Sequence, residues 1–341
     1  MALSKILPAS IAQPNPTNFI INGAMNVAQR ATSSTGIGAS SGYFTTDRWK
    51  LDINNTAGRL TMTQDSSAPS GFHNSTKLAC TTADTSIASD EYFIFQQRIE
   101  GQNLQSFAKG TSDAKPFALS FYVKGNASAT YTAELFDGDN SRQISKTFTV
   151  GTDWSKVELS YPADTTGAFD DDNANSFNLN IWIHCGSNYK SGTLNSSAWA
   201  SNTTANRVSS SNTSFVDSTD RTFFITGVQL EVGQHASEFI HEPYERTLAK
   251  CQRYYAEKEL HQSYMDSNAD SAQYLGYDLP VTQRADGTGS VITQVQYWSG
   301  GVPTNVTPNV YPKTDHIRIT TSSLSSARGI VSGRIASDAE L

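Results

Sequence analysis

The sequence predicts an all-β protein, a sandwich or jelly roll of short antiparallel strands, and three observations lead there. Charged residues make up only 17% of the 341 positions and hydrophobic ones 37%, with Ser, Thr, Asn and Gly filling most of the remainder. Aromatics are plentiful (Phe 16, Tyr 14, Trp 5) and spread along the chain. Uncharged polar residues alternating with aromatic and β-branched ones supply the two faces of a half-solvated antiparallel sheet. Clusters of Gly, Asn and Asp punctuate these runs without helical periodicity between them, which favours a sandwich or jelly roll over a parallel α/β sheet.

The elements follow in order. Residues 1–17 end on Gln13-Pro14-Asn15-Pro16 and read as an extended N-terminal arm. Segments 59–64, 117–124 and 130–136 alternate with period two over at least part of their length, and 145–150, 154–159, 177–184 and 221–232 read as further strands. In the last of these, Val228, Leu230 and Val232 are expected on the core face, with Gln229 and Glu231 toward solvent. Residues 187–218, rich in Ser, Asn and Thr, are expected to form a long surface loop. A proline at 243 and apolar residues at 244, 248, 251 and 255 predict a short amphipathic helix. Strand signals return at 274–281, 290–298 and 316–320. The expected organisation is an arm over 1–17, a jelly roll over 18–242, a linking helix over 243–261 and a small C-terminal β-domain over 262–341.

Charge and composition narrow the function. A net charge of −7 leaves no basic surface for phosphate neutralisation, so nucleic acid is not an expected partner. No apolar run approaches the ~18 residues of a membrane span, and the first residues lack the apolar core of a signal peptide. The expectation is a protein made and assembled in a cytoplasm, without membrane insertion. Three cysteines (Cys80, Cys185, Cys251) form no disulfide framework or metal-ligand spacing and read as buried thiols.

Residues that could carry chemistry are few. No nucleophile elbow, HExxH or P-loop occurs. The six histidines are scattered, and His184, at the end of a strand, reads as a satisfied partly buried residue. The chain is therefore not expected to be an enzyme. The acidic turns Phe136-Asp137-Gly138-Asp139-Asn140 and Phe169-Asp170-Asp171-Asp172-Asn173 hold the acids a glycan depolymerase would need, but in turn contexts and without the β-helical repeats of such enzymes. Asp137, Asp139 and Asn140 also offer oxygens suited to a structural Ca²⁺, against the plainer reading of a tight hairpin. No other cofactor is implied. Sugar binding rests on aromatic platforms flanked by hydrogen-bonding groups. Trp199 in the Ser/Asn-rich loop, Tyr189 beside Asn188, and Tyr297-Trp298 have that character, with a contact between subunits as the alternative use.

Several segments resemble, in register, a group of bacteriophage tail-fibre and related virion proteins with a carbohydrate-binding-module-like jelly roll. They are Asn18-Phe19-Ile20-Ile21-Asn22-Gly23-Ala24-Met25-Asn26-Val27-Ala28-Gln29-Arg30, Tyr43-Phe44-Thr45-Thr46-Asp47-Arg48-Trp49, and Leu119-Ser120-Phe121-Tyr122-Val123-Lys124-Gly125, with Tyr122 where tryptophan is usual. The closing elements are Ile225-Thr226-Gly227-Val228-Gln229-Leu230-Glu231-Val232-Gly233, Phe239-Ile240-His241-Glu242-Pro243-Tyr244, Cys251-Gln252-Arg253-Tyr254-Tyr255 and the final Asp338-Ala339-Glu340-Leu341. The resemblance covers residues 18–260 well and the last 80 more loosely. It implies a virion protein: a tail-fibre or tail-appendage subunit, homotrimeric, docked on other phage proteins through the N-terminal arm and meeting a host surface glycan. A capsid decoration or cement protein is the alternative. Most of these motif residues are expected to serve the core rather than to touch a ligand.

Overall fold

The computed structural model describes residues 17–265, 273–299, 302–321 and 329–341. The arm expected over 1–17 lies, but for its last residue, outside them. The chain divides into two compact units: Met1–Asn26, Ser33–Phe44 and Trp49–Glu242 form one, and Val27–Thr32, Thr45–Arg48 and Pro243–Leu341 the other. Two short early segments thus group with the C-terminal part.

The first unit is a jelly-roll β-sandwich. One sheet has six strands in the order β1 (Ser33–Ile37), β4 (Arg59–Asp65), β5 (Ser75–Thr82), β13 (Thr222–Val232), β7 (Phe117–Gly125) and β10 (Ser155–Tyr161). The other has seven, in the order β12 (Ala200–Ser201), β9 (Arg142–Val150), β8 (Ala129–Asp137), β11 (Asn175–Cys185), β6 (Tyr92–Glu100), β3 (Lys50–Asn54) and β2 (Gly42–Tyr43). Alternation decides which residues face inward: Leu119, Phe121 and Val123 from β7 meet Phe177, Leu179 and Ile181 from β11 in one apolar core. Aromatic stacking runs through it, with Phe107 on Phe117 at 4.0 Å and Trp49 on Phe95 at 4.6 Å.

Strand β13 departs from the expected two-faced pattern. Gly227 has φ +62°, a conformation open to glycine, and the pairing register with β7 shifts between Thr226 and Gln229. Beyond this bulge Gln229 and Glu231 are buried and Val232 is 37% exposed. The expected solvent face is covered by the following chain. Ser237 donates from its backbone N–H to Glu231 Oε1 at 2.7 Å, and the Ile240 N–H donates to Gln229 Oε1 at 2.9 Å. Polar residues alternating with apolar ones mark a second buried face here, satisfied by backbone N–H groups, by Ser237 and by a hydrogen bond from Gln229 to Glu231.

The second unit holds α2 (Tyr244–Gln252) and two small sheets. One orders as β14 (Tyr255–Met265), β20 (Gly329–Asp338), β16 (Thr288–Ser299) and β17 (Val302–Val306). The other orders as β15 (Gln273–Asp278), β19 (His316–Thr321) and β18 (Asn309–Pro312). Its apolar cluster consists of Leu260, Val295, Ile317, Ile319 and Ile335, with Tyr277, Leu279 and Val310 packed on it. Among the described residues no helix is long and apolar enough to cross a membrane.

Candidate functional site

The outer face of the seven-stranded sheet brings together polar and aromatic side chains in rows set by the strand register. Lys50, Gln96, Asn180 and Glu134 stand opposite one another across β3, β6, β11 and β8. Asp52, Ile94, Trp182 and Thr132 form the next row. Along the first row Gln96 Nε2 donates to Asn180 Oδ1 at 2.7 Å, and Asn180 Nδ2 donates to Glu134 Oε2 at 2.8 Å. Glu134 also accepts from Trp182 Nε1 at 2.9 Å and from Arg207 Nε at 2.7 Å. A carboxylate with 0% side-chain exposure is tolerable because a guanidinium and two neutral donors surround it.

Arg207 belongs to the Ser/Asn-rich segment, which folds back over this face. Here lies α1 (Ser187–Lys190), and Val208, fully buried, packs with Ile94, Trp182 and Cys185. Backbone bonds from Val208 to Tyr189 O at 3.0 Å and from Thr213 to Thr130 O at 2.8 Å fasten the segment down. The β6–β3 side of the face keeps partly exposed groups: Lys50, Asp52, Tyr92, Arg98 and, at its edge, Tyr189. Tyr92 and Tyr189 meet edge to face at 5.4 Å, and both lean on Trp182, at 5.8 and 5.2 Å. Burial, then the negative charge of Asp52, raises the Tyr92 phenol above its ordinary range. Burial likewise raises that of Tyr189. Both rings thus keep their hydroxyl proton, that of Tyr189 donated to Asp90 O at 3.4 Å, and both feel the negative charge of Asp52.

The structure places the other expected site residues differently. Asn188 is exposed beside Tyr189. Tyr297 and Trp298 fall in β16, but their side chains lie outside the described ones. Trp199 is a correction: it is 7% exposed and belongs to the sandwich core. Its ring lies 5.5 Å from Phe117, and its Nε1 donates to Pro162 O at 2.9 Å. A tryptophan among Ser, Asn and Ala carries the local signal of a surface residue. It is instead the apolar anchor by which a polar segment closes the end of the sandwich.

The acidic hairpin holds a cation of the chain's own. Lys109 Nζ lies 2.5 Å from Asp137 Oδ2 and 3.1 Å from Asp164 Oδ2, and it donates to Thr166 O at 2.9 Å and Gly167 O at 2.7 Å. Asn140 turns its amide N–H₂ toward Asp137 Oδ2 and Ala168 O, not its oxygen. Asp139 accepts from the Asp170 N–H at 2.9 Å. As arranged, the three expected Ca²⁺ ligands do not converge their oxygens on one point, and the ammonium fills the cation's place. Arg142 adds a bidentate pair to Asp164. Burial would raise Asp164, but Arg142 and Lys109 outweigh it and hold the carboxyl below its usual value.

The segments that carry the family resemblance occupy structural positions. In the first unit Asn18 donates to Val228 O and accepts from the Leu230 N–H, so the opening motif is stapled to β13. Trp49 donates to Asn22 O at 3.2 Å. In the second unit the guanidinium of Arg48 stacks 3.4 Å from the Tyr254 ring and pairs with Glu340. Arg30 stacks 3.7 Å from Tyr255 and pairs with Asp338 and Glu340. Gln29 bridges Asp47 and Tyr255 O. Burial raises both Asp47 and Glu340 despite their cationic neighbours. Cys251, beside this cluster, is one of three buried free thiols.

No family model matches the chain, and no curated protein matches it. Solved structures similar to it include a CBM4 module (10% identity, covering 62% of this chain and 98% of that one, TM-score 0.31). A family 11 carbohydrate-binding module from Clostridium thermocellum, in complex with a β-1,3-1,4-mixed-linked tetrasaccharide, gives 12% identity, 60% and 97% coverage and a TM-score of 0.30. The enzymatically active domain of tailspike protein 4 from bacteriophage CBA120 gives 14% identity, 63% and 21% coverage and a TM-score of 0.32. At these scores the likenesses name neither a ligand nor a partner for this chain.

Proposed function

We propose that this chain is a non-enzymatic structural subunit of a phage tail appendage whose jelly roll binds a surface glycan on the open side of its seven-stranded sheet. The observation that carries the binding reading is the Tyr92–Tyr189 pair, 5.4 Å apart and partly exposed, on the same sheet face as the Lys50–Asp52 ion pair and Arg98. Aromatic edges and faces suit sugar C–H groups, and a carboxylate with nearby cations supplies acceptors and donors for hydroxyls. The appendage role rests on the resemblance of the opening, Asp-Arg-Trp and closing motifs. A homotrimer, docking through residues 1–17 and a virion location belong to the same proposal. The non-enzymatic reading is supported by the engaged state of the buried acids: Asp137 on Lys109, Asp164 on Arg142 and Glu134 on Arg207.

The test is binding of the purified full chain to an array of bacterial surface polysaccharides, alongside a Tyr92→Ala/Tyr189→Ala variant. The proposal expects saturable binding to at least one polysaccharide, at least tenfold weaker in the variant, with the fold kept by circular dichroism. Undiminished binding by the folded variant would remove this face from the proposal. Labelled antibody on phage particles then decides the location. Signal on the head lattice would favour a decoration protein over a tail appendage.

A further inference from the structure

We propose that the sheet-face site reads the end of a glycan chain and not its interior; the inference rests on the sheet-face reading and narrows its ligand to a terminal sugar unit. The reason is that the face is closed on two sides of the Tyr92–Tyr189 pair. Across the sheet, the outward residues Asn180 and Trp182 of β11 and Thr132 and Glu134 of β8 are all buried. Their cover is the Ser/Asn-rich segment, and it is fixed in place. The Ser145 N–H donates to Asn195 O, the Asn202 N–H to Ser141 O and the Thr213 N–H to Thr130 O, each at 2.8 Å. Trp199 roots the same segment in the sandwich core. A glycan laid across the strands therefore stops at Tyr189, whose ring meets those of Tyr92 and Trp182.

Along the strands the second stop is Asp90, just before β6. Asn54 stands opposite Tyr92 in the register, on the same face. Its Nδ2 donates to Asp90 O at 2.7 Å, and Asn55 Nδ2 donates to Asp90 Oδ1 at 3.1 Å. The Tyr189 hydroxyl donates to Asp90 O as well, so three side chains hold this turn at the end of the face. Between the two stops the Tyr92 and Tyr189 rings stand at 89° to each other, one a floor and the other a wall. A perpendicular pair of this kind fits one sugar ring, its C–H face on one phenol and its rim on the other. In the other direction along β6 the outward residues Ile94 and Gln96 are buried. The open floor lies instead on β3, over the Lys50–Asp52 pair, toward the edge strand β2. A chain can enter this corner and has no path through it. A glycan anchored to a cell is tethered through its reducing end, so the unit taken is the non-reducing terminal one.

The test uses oligosaccharides of two, four and eight sugar units and longer fragments, prepared from the polysaccharide that binds the full chain on the array and labelled at their reducing ends. Fluorescence anisotropy is expected to give affinities within about threefold of one another from two units to eight. Calorimetry is expected to give one site per glycan chain whatever its length. Mild cleavage of the polysaccharide at constant mass should raise the number of sites in proportion to the new ends. The inference is overturned if affinity climbs tenfold or more from two units to eight, if sites per chain grow with length, or if cleavage leaves the number of sites unchanged. The Tyr92→Ala/Tyr189→Ala variant tells the two failures apart. Length-dependent binding that this variant loses would overturn the chain-end inference and keep the sheet-face site, whereas binding that it retains, or no binding by the parent, would overturn both.

Discussion

Truncating Trp199 to alanine is expected to destabilise the jelly roll by about 3–5 kcal/mol, the usual cost of removing a core tryptophan. The size follows from what the ring touches. The residue is 7% exposed, and its ring lies 5.5 Å from Phe117 and 6.3 Å from Phe177. Alanine removes nearly all of that apolar contact and opens a cavity near Lys109 Nζ, which lies 5.6 Å from the indole. It also leaves the Pro162 carbonyl without the indole N–H that donates to it. Trp199→Phe separates the two effects: most of the area stays, the donor goes, and a loss of about 1–2 kcal/mol is expected. Guanidinium titration of parent and variants, followed by circular dichroism with the slopes compared, measures both. A Trp199→Ala protein within about 1 kcal/mol of the parent would behave like a surface substitution. That result would refute the placement of this segment in the core.

Three more expectations can be read from the same titrations or from thermal melts. Lys109→Met strands Asp137 in the interior and should cost about 3–5 kcal/mol, whereas calcium or chelator should leave the parent's melting temperature unmoved; a rise of several degrees with calcium would restore the metal reading. Burial lowers His184 to about 4 from an ordinary 6.5, so between those values the unfolded chain takes up a proton that the folded one refuses. Stability should therefore fall by about 3 kcal/mol as pH drops from about 6.5 to 4; Glu91, raised by burial, runs the opposite way, and a His184→Gln profile with the parent's acid-side slope would disprove this. Glu340→Ala should cost about 3 kcal/mol or more, because the fully buried Arg48 loses its carboxylate; a neutral result would mean that this pair does not hold the second unit.

The β-fold could be read from the chain because alternation survives wherever one sheet face meets a uniform core. Strand β4 is legible for that reason, its residues alternating between buried and partly exposed. Strand β6 is not, since Tyr92-Phe93-Ile94-Phe95-Gln96-Gln97-Arg98 has no polar period. Its outer face is buried at Ile94 and Gln96 and only partly open at Tyr92 and Arg98, and Gln97 on the core side is satisfied by exchanging hydrogen bonds with the Ile21 backbone. The candidate site was harder still. An aromatic among polar neighbours marks Tyr189, but the same signal misplaces Trp199. Local composition reports what surrounds a residue in the chain, not what lies across from it. Lys109 gave no signal at all, because its partners are 28 and 55 residues further along.

The central residues of the resemblance point inward, although Val232 and Tyr244 of its closing motifs do not. Asn18 and Trp49 bond to backbone, and Arg30 and Arg48 stack on tyrosines and pair with the last acidic residues. Each removes a buried polar group from water and gives it a specific partner, so substitution is costly whatever the protein does. Motifs of this kind are expected to persist among chains that share an architecture, because they answer to folding. Recognition answers to something else. Tyr92, Tyr189 and Asp52 on the sheet face belong to none of those motifs. They sit where side chains can change without disturbing the interior, which is where ligand specificity diverges on a common scaffold. The resemblance therefore speaks to how the chain is built. What it grips has to be tested at those three side chains.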